Sequence, residues 1–395
     1  MKCDAAVAIG AVLAAACGGD HTSTGPPPND STPVLVKAIA IPPNYGIHDT
    51  YVRDGIAFVS AWNTGVIIYD VGNGVAGGTP AAPVLLSTTP VAGGVVHSTW
   101  WFHNPNTAEK RYLFVAQEGP RTLGGRSSGA LHVLDVTDLH HPVDVATFRI
   151  DSAGTDTAGT HNFWMDETGQ ILYIAYYNAG VVALDVSGTL SGDLSARGID
   201  TLAPGGPGNT FTWGVQLANG SLYASDMMSG FWQLASAAGH LSTKSGGGNV
   251  PERYGSDLWV TGGYAYTGTW GFAQRTTGVV GNALKVWALD SSGAPALVDS
   301  VIVSGVATVS DVEASADGKL LMFTTEGGFG SGNGNGLYFY SLANPAHPTF
   351  RGKYLVPDGV HTATFGYING KTYVFGARDP QTPQLVILDA TALDR

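Results

Sequence analysis

Cysteine is nearly absent: the 395-residue chain has two, at positions 3 and 17. Both precede every strand-like segment, so the folded part can hold no disulfide, thiolate metal site or cysteine nucleophile. Charge is sparse as well, at 13% of residues, and the net charge of −12 comes without a clustered basic stripe. That excludes a nucleic-acid or anionic-membrane surface, since either needs a concentrated positive footprint. No long segment carries apolar residues at helical spacing, which excludes a helical fold. Serine-elbow, HExxH and Cys–His signatures are missing too. Glycine and proline, by contrast, are plentiful at 55 and 21 residues, a composition suited to many short strands joined by tight turns.

The chain starts with an address. Residues 5–16 form a short apolar run, too short to span a bilayer and typical of a secretory hydrophobic segment. Leu13-Ala14-Ala15-Ala16 before Cys17 resembles a bacterial lipobox. Residues 1–16 are therefore expected to be a lipoprotein signal peptide, with lipid attached to Cys17; a plain cleaved secretion signal is the alternative. Residues 17–32 are polar and rich in Gly, Pro, Ser and Thr, with too little apolar surface to fold, and are expected to be a disordered tether. The expected localisation is extracytoplasmic and membrane-anchored, in the periplasm or at the cell surface.

Residues 33–395 repeat. Seven starts align: GIHDTYV at His48, VVHSTWW at His97, GTHNFWM at His161, TFTWGVQ at Thr212, YGSDLWV at Ser256, TVSDVEA at Ser310 and GVHTATF at His361. A second strand follows each start (IAFVSA, YLFVAQ, ILYIAY, SLYASD, YAYTGT, LLMFTT, TYVFGA), and then a third (VIIYDV, LHVLDV, VVALDV, FWQLAS, KVWALD, LYFYSL, LVILDA). Five third strands carry a late Asp, namely Asp70, Asp135, Asp185, Asp290 and Asp389. Each is expected to seed the following turn by accepting backbone hydrogen bonds. Several units add a fourth strand after a proline turn, as in PVDVATFRI, PALVDSVIV and PTFRGKYL.

A repeat of about 50 residues with four strands predicts a propeller blade, because one such sheet must stack on neighbours to bury both faces. The last unit ends after its third strand, so PVLVKAIAI at residues 33–41 is expected to supply the missing fourth. The expected fold is an all-β, seven-bladed β-propeller closed by its N-terminal strand. Six blades is the competing count, because the fourth unit is short.

The third-strand motif ending in Asp, with the His-Asp-like starts and the P-x-x-V fourth strand, resembles bacterial LVIVD-repeat proteins across residues 33–395. The resemblance implies a β-propeller that is surface-anchored or secreted, and it implies no shared activity.

Strand order places the repeat starts and the second-to-third loops on one face, at the mouth of the central channel. That face is expected to gather His48, His97, His161 and His361 with Asp49, Asp257, Asp311, Glu118, Glu326, Arg378 and Asp379. The four histidines come from units that become neighbours on ring closure. Converging imidazoles and carboxylates would suit Zn, Cu or Fe. The competing reading is that each His hydrogen-bonds the next blade's backbone, and a third gives them a general-base role without metal. Loop aromatics Trp62, Tyr177 and Trp270 are expected to make exposed contacts or to pack. Trp100, Trp101, Trp164 and Trp259 lie within first strands, where blade packing accounts for most of them. Long loops at 119–129, with Arg121 and Arg126 near Glu118, at 271–282 with Arg275, and at 327–336 suit recognition.

Two functions follow. The first is a protein- or ligand-binding scaffold at the bacterial envelope, engaging an envelope or extracellular protein or a small extracellular ligand, with membrane contact only through the lipid. The alternative is a metal-dependent hydrolase, lyase or oxidoreductase using the four histidines. A carbohydrate-binding propeller, argued from exposed aromatics, is a third.

Overall fold

In the computed structural model the described residues are 20–22, 32–42, 46–119, 127–150, 159–271, 281–327, 334–378 and 382–394. Cys17, Arg121, Arg126, Arg275 and Asp379 lie outside them, as do the signal segment and parts of the three long loops.

The β-branched and aromatic runs form strands because alternate side chains can bury against a sheet on either side. Second strands such as Ile56–Ala61 and Tyr112–Gln117 are buried along their whole length, which explains their unbroken apolar sequence. Among the described residues the antiparallel pairings form seven four-stranded groups. Their first strands lie innermost: Asp49–Arg53, Val96–Trp101, Phe163–Asp166, Thr212–Ala218, Tyr254–Thr261, Thr308–Ala314 and Thr362–Ile368. Each packs on the next, and the last packs on the first. The ring is a β-propeller.

Closure follows the expected route. Val34–Ala40 pairs antiparallel with Gln384–Asp389, in register Val34↔Asp389 to Ala40↔Gln384 with one bulge after Leu35. The N-terminal strand thereby completes the last group. One difference appears in the expected tether, where Asp20–Thr22 pairs in parallel with Ser300–Ile302. The outermost strands expose an edge that accepts an extended segment within reach, as Pro295–Ile302 does here and Val143–Phe148 does with Gly192–Asp193.

The apolar cores lie between neighbouring groups. Val59 and Ile67 of the first meet Phe375 and Ile387 of the last in one cluster, while Phe114 and Leu131 meet Leu172 and Leu184 in another. All five late Asp residues seed turns: Asp135 accepts from Thr137, Asp185 from Ser187, Asp290 from Ser292 and Ala294, Asp389 from Thr391, and Asp70 from five amides.

Candidate functional site: the channel mouth and the cavity beneath it

Residues at or beside first-strand starts, together with Trp270 at the end of a second strand, build a closed circuit of rings about the axis. Ring centroids lie 4.3 Å apart for His361–His48, 3.7 Å for His48–His97, 3.9 Å for His97–His161 and 4.2 Å for His161–Trp213. Trp213–Trp270 at 4.9 Å and Trp270–His361 at 6.1 Å complete it. His48, His97, His161, Trp213 and Trp270 are all buried.

The protons in this girdle can be placed from the acceptors. His48 Nδ1 is 2.8 Å from the His97 carbonyl and His161 Nδ1 is 2.6 Å from the Trp213 carbonyl, so both nitrogens donate. The bare His48 Nε2 then accepts from His361 Nε2 at 2.7 Å. His361 Nδ1 and Glu326 Oε1, 2.6 Å apart, share one further proton. Burial first, and neighbouring imidazoles second, push the His48 and His97 pKa values well down, so both are neutral. His97 is held by the two tilted rings on either side of it, and neither of its ring nitrogens has a partner among the described residues.

Nitrogen placement governs what the girdle can do. A metal needs several lone pairs converging on one point; here His48 Nε2 and His361 Nε2 meet, while His48 Nδ1 and His161 Nδ1 are turned to backbone carbonyls. Among the described residues no three His, Cys, Asp or Glu groups are arranged to hold a metal ion. The expected convergence on Zn, Cu or Fe is not formed here.

What the girdle does is lock blades together. Each joint around the ring carries a side-chain bond to a backbone carbonyl of the neighbouring group. In order these are His48 to His97 O, Ser98 to His161 O at 2.7 Å, His161 to Trp213 O, Ser225 to Ser256 O at 2.5 Å, Ser256 to Val309 O at 2.6 Å, Thr324 to His361 O at 2.7 Å and Thr362 to His48 O at 2.8 Å. Two of the four histidines thus act as the structural reading expected, and His361 joins Glu326 and His48 instead.

The loop aromatics are buried rather than exposed, which corrects the contact reading for Trp62 at 4%, Tyr177 at 2% and Trp270 at 8%. Trp62 and Tyr177 have positive φ, 42° and 40°. Their backbones bridge to Val96 and Thr212 on the next first strand, so the loops fold inward and bring the rings against His48 and His161. Glu118 is half-buried, its Oε1 accepting from the Tyr177 hydroxyl at 2.6 Å. Arg378 is half-buried beside Gln384 and Asp358.

Beneath the girdle lies a cavity of about 300 Å³. Asp49, Asp257 and Asp311 line it, one residue deeper than the mouth face expected for them, together with Glu313. Trp100, Trp164 and Trp259 line it too, beyond their packing role. Asn162 Nδ2 donates to Asp257 at 3.1 Å, and the Ala363 amide donates to Asp311 at 2.7 Å. The carboxyl groups sit high: enclosure by protein is the largest cause for each, and the nearby acids add to it for Asp49, Asp257 and Glu313. Asp49 is pushed up to about 7 by this enclosure and by Asp311. Its accessible surface is intermediate because it faces the cavity; the protein around that cavity, rather than tight packing, raises it.

A raised acid stabilises the fold fully below its unfolded value and loses that contribution as pH climbs through the folded one. Asp49→Asn is therefore expected to gain on the wild type in Tm between about pH 5 and about pH 8. A Tm difference that stays constant across that range would contradict this.

Two solved structures resemble the whole ring. The β-propeller domain of Myceliophteria thermophila Cps50 (Swd1) superposes with a TM-score of 0.58 at 11% identity, covering 90% of this chain and 99% of that one. A chain of the Mitotic Checkpoint Complex gives 0.58 at 14% identity, covering 93% and 96%. Likeness at this identity shows the propeller fold alone. No protein-family profile and no curated protein matches the chain, so the LVIVD-repeat likeness remains a resemblance of motif.

Proposed function

We propose that this protein is a binding scaffold of the bacterial envelope: a seven-bladed propeller, tethered by lipid on Cys17, that presents its loop-bearing face to a protein partner. The observation that carries this is the unbroken circle of inter-blade bonds, which makes the ring a rigid frame for its loops. The side chains of His48, His161 and His361 are engaged in that frame and in the Glu326–His361–His48 chain, which weighs against the metal-enzyme alternative. One of the similar propellers comes from a multiprotein complex, in keeping with the scaffold reading.

A photo-reactive residue placed at Thr64, Asn178 or Met228, all on the second-to-third loops, tests the scaffold directly. The expected result is one recurrent adduct from those positions and none from Asn369 on the opposite hairpins. Adducts at Asn369 alone, or at no position in intact envelopes, would end the reading. The anchor has its own test: Cys17→Ser is expected to move the protein from the detergent phase to the aqueous phase on partition. Unchanged partition would contradict lipidation at that residue.

A further inference from the structure

We propose that the cavity beneath the girdle is a binding site for a small organic cation of the ammonium class, held between an aromatic arc and a set of carboxylates. The proposal goes beyond the scaffold reading and does not depend on it.

Charge is the first argument. Asp49, Asp257, Asp311 and Glu313 face one enclosed space, and no Lys or Arg is among the described residues lining it. Several acids elsewhere have basic partners, as in Glu167 with Arg53, Asp135 with Arg111 and Asp389 with Lys371. A bound cation would draw these high-lying acids into their charged form and balance it, which neither an anionic nor a neutral apolar ligand can do.

Much of the remaining lining is aromatic. Tyr51, Trp100, Trp164 and Trp259 form a continuous arc, with successive ring centroids 5.4, 5.3 and 5.8 Å apart. All four line the cavity and are only partly buried. Aromatic rings around a desolvated space attract a diffuse cation through their negative faces. Adjacent carboxylates supply the charge that such cages commonly need.

A compact metal ion fits less well, because among the described residues no three ligating groups converge on one point. An ammonium ion with alkyl substituents needs no such convergence; it needs surrounding charge and π-faces. The size suits a small ligand, at the lower end of ordinary pockets. Access lies away from the girdle, where Tyr367 of the lining is 49% exposed.

Choline and its neutral isostere 3,3-dimethylbutan-1-ol make the test, followed by tryptophan fluorescence and calorimetry on the wild-type protein. Choline is expected to bind saturably and at least about tenfold more tightly than the isostere. Glu313→Gln and Trp164→Leu are each expected to weaken it about tenfold, with Asp49→Asn as the substitute if either variant fails to fold. Equal response to the isostere or to potassium chloride at matched ionic strength would overturn the proposal. So would no saturation by about 10 mM, or full affinity in the folded variants.

Discussion

A chain lacking residues 1–42 is expected to lose cooperative folding. The strand Val34–Ala40 supplies every hydrogen bond on the outer edge of Gln384–Asp389. Val36, Ile39 and Ile41 also cover the core cluster that joins the last group to the first, which includes Ile67, Phe375, Leu385 and Ile387. Burying one aliphatic side chain is worth about 1.5–3 kcal/mol. Three such residues, two of them only partly buried, amount to roughly 5 kcal/mol, comparable with a whole domain's net stability of about 5–15 kcal/mol. The bare edge of Gln384–Asp389 would in addition invite strand addition from other molecules. The expected observation is a broad or absent thermal transition and aggregation on size exclusion, relieved by a peptide of residues 32–42. A truncated protein that melts cooperatively at the wild-type temperature would show that closure does not depend on this strand.

Asp70→Ala is expected to cost about 3 kcal/mol or more, for a reason confined to one carboxylate. Asp70 is completely buried at the end of Gly65–Asp70. Its Oδ1 accepts from the amides of Gly72, Asn73 and Gly74 at 3.0, 2.8 and 3.3 Å. Its Oδ2 accepts from Ala76 and Gly78 at 2.8 and 3.1 Å. Alanine would leave these donors without an acceptor in a loop folded around it. Burial pushes the Asp70 pKa up, but the amides more than offset it and hold the group at about 2. For a lowered acid, stability is present above the unfolded value of about 4 and is lost as pH falls through the folded one. The gap between wild type and Asp70→Ala should therefore narrow as pH is taken from about 4 toward 2. Chemical denaturation across that range measures it, and a gap that stays constant would mean the carboxylate charge is not what the loop binds.

Much of the frame was legible because its signals are local. Runs such as IAFVSA and VIIYDV state a strand outright, a late Asp states the turn after it, and the missing last fourth strand pointed to residues 33–41. The clustering of the four histidines was legible too, since alignment of the starts put them in adjacent units. Their chemistry was not, because the ring contacts and the proton pattern depend on how far the first strands lean toward one axis. Trp62 and Tyr177 looked like exposed loop residues; their left-handed backbone and bridges to the next first strand turn them inward, and no local sequence feature announces that. The cavity has a signal in the sequence. Asp49 and Tyr51, Asp257 and Trp259, and Asp311 and Glu313 are spaced two apart on first strands, so each pair shares a face. Which face turns to the axis is settled only by closing the ring.

Elemental analysis of the mature protein, residues 17–395 with Cys17→Ser and no affinity tag, bears most directly on the central claim that the histidines form a structural girdle rather than a metal centre. The account predicts no stoichiometric Zn, Cu or Fe in a well-folded protein, and unchanged metal content in His48→Ala and His361→Ala. Near-stoichiometric metal that disappears in either variant would contradict it and return the channel mouth to the enzyme reading.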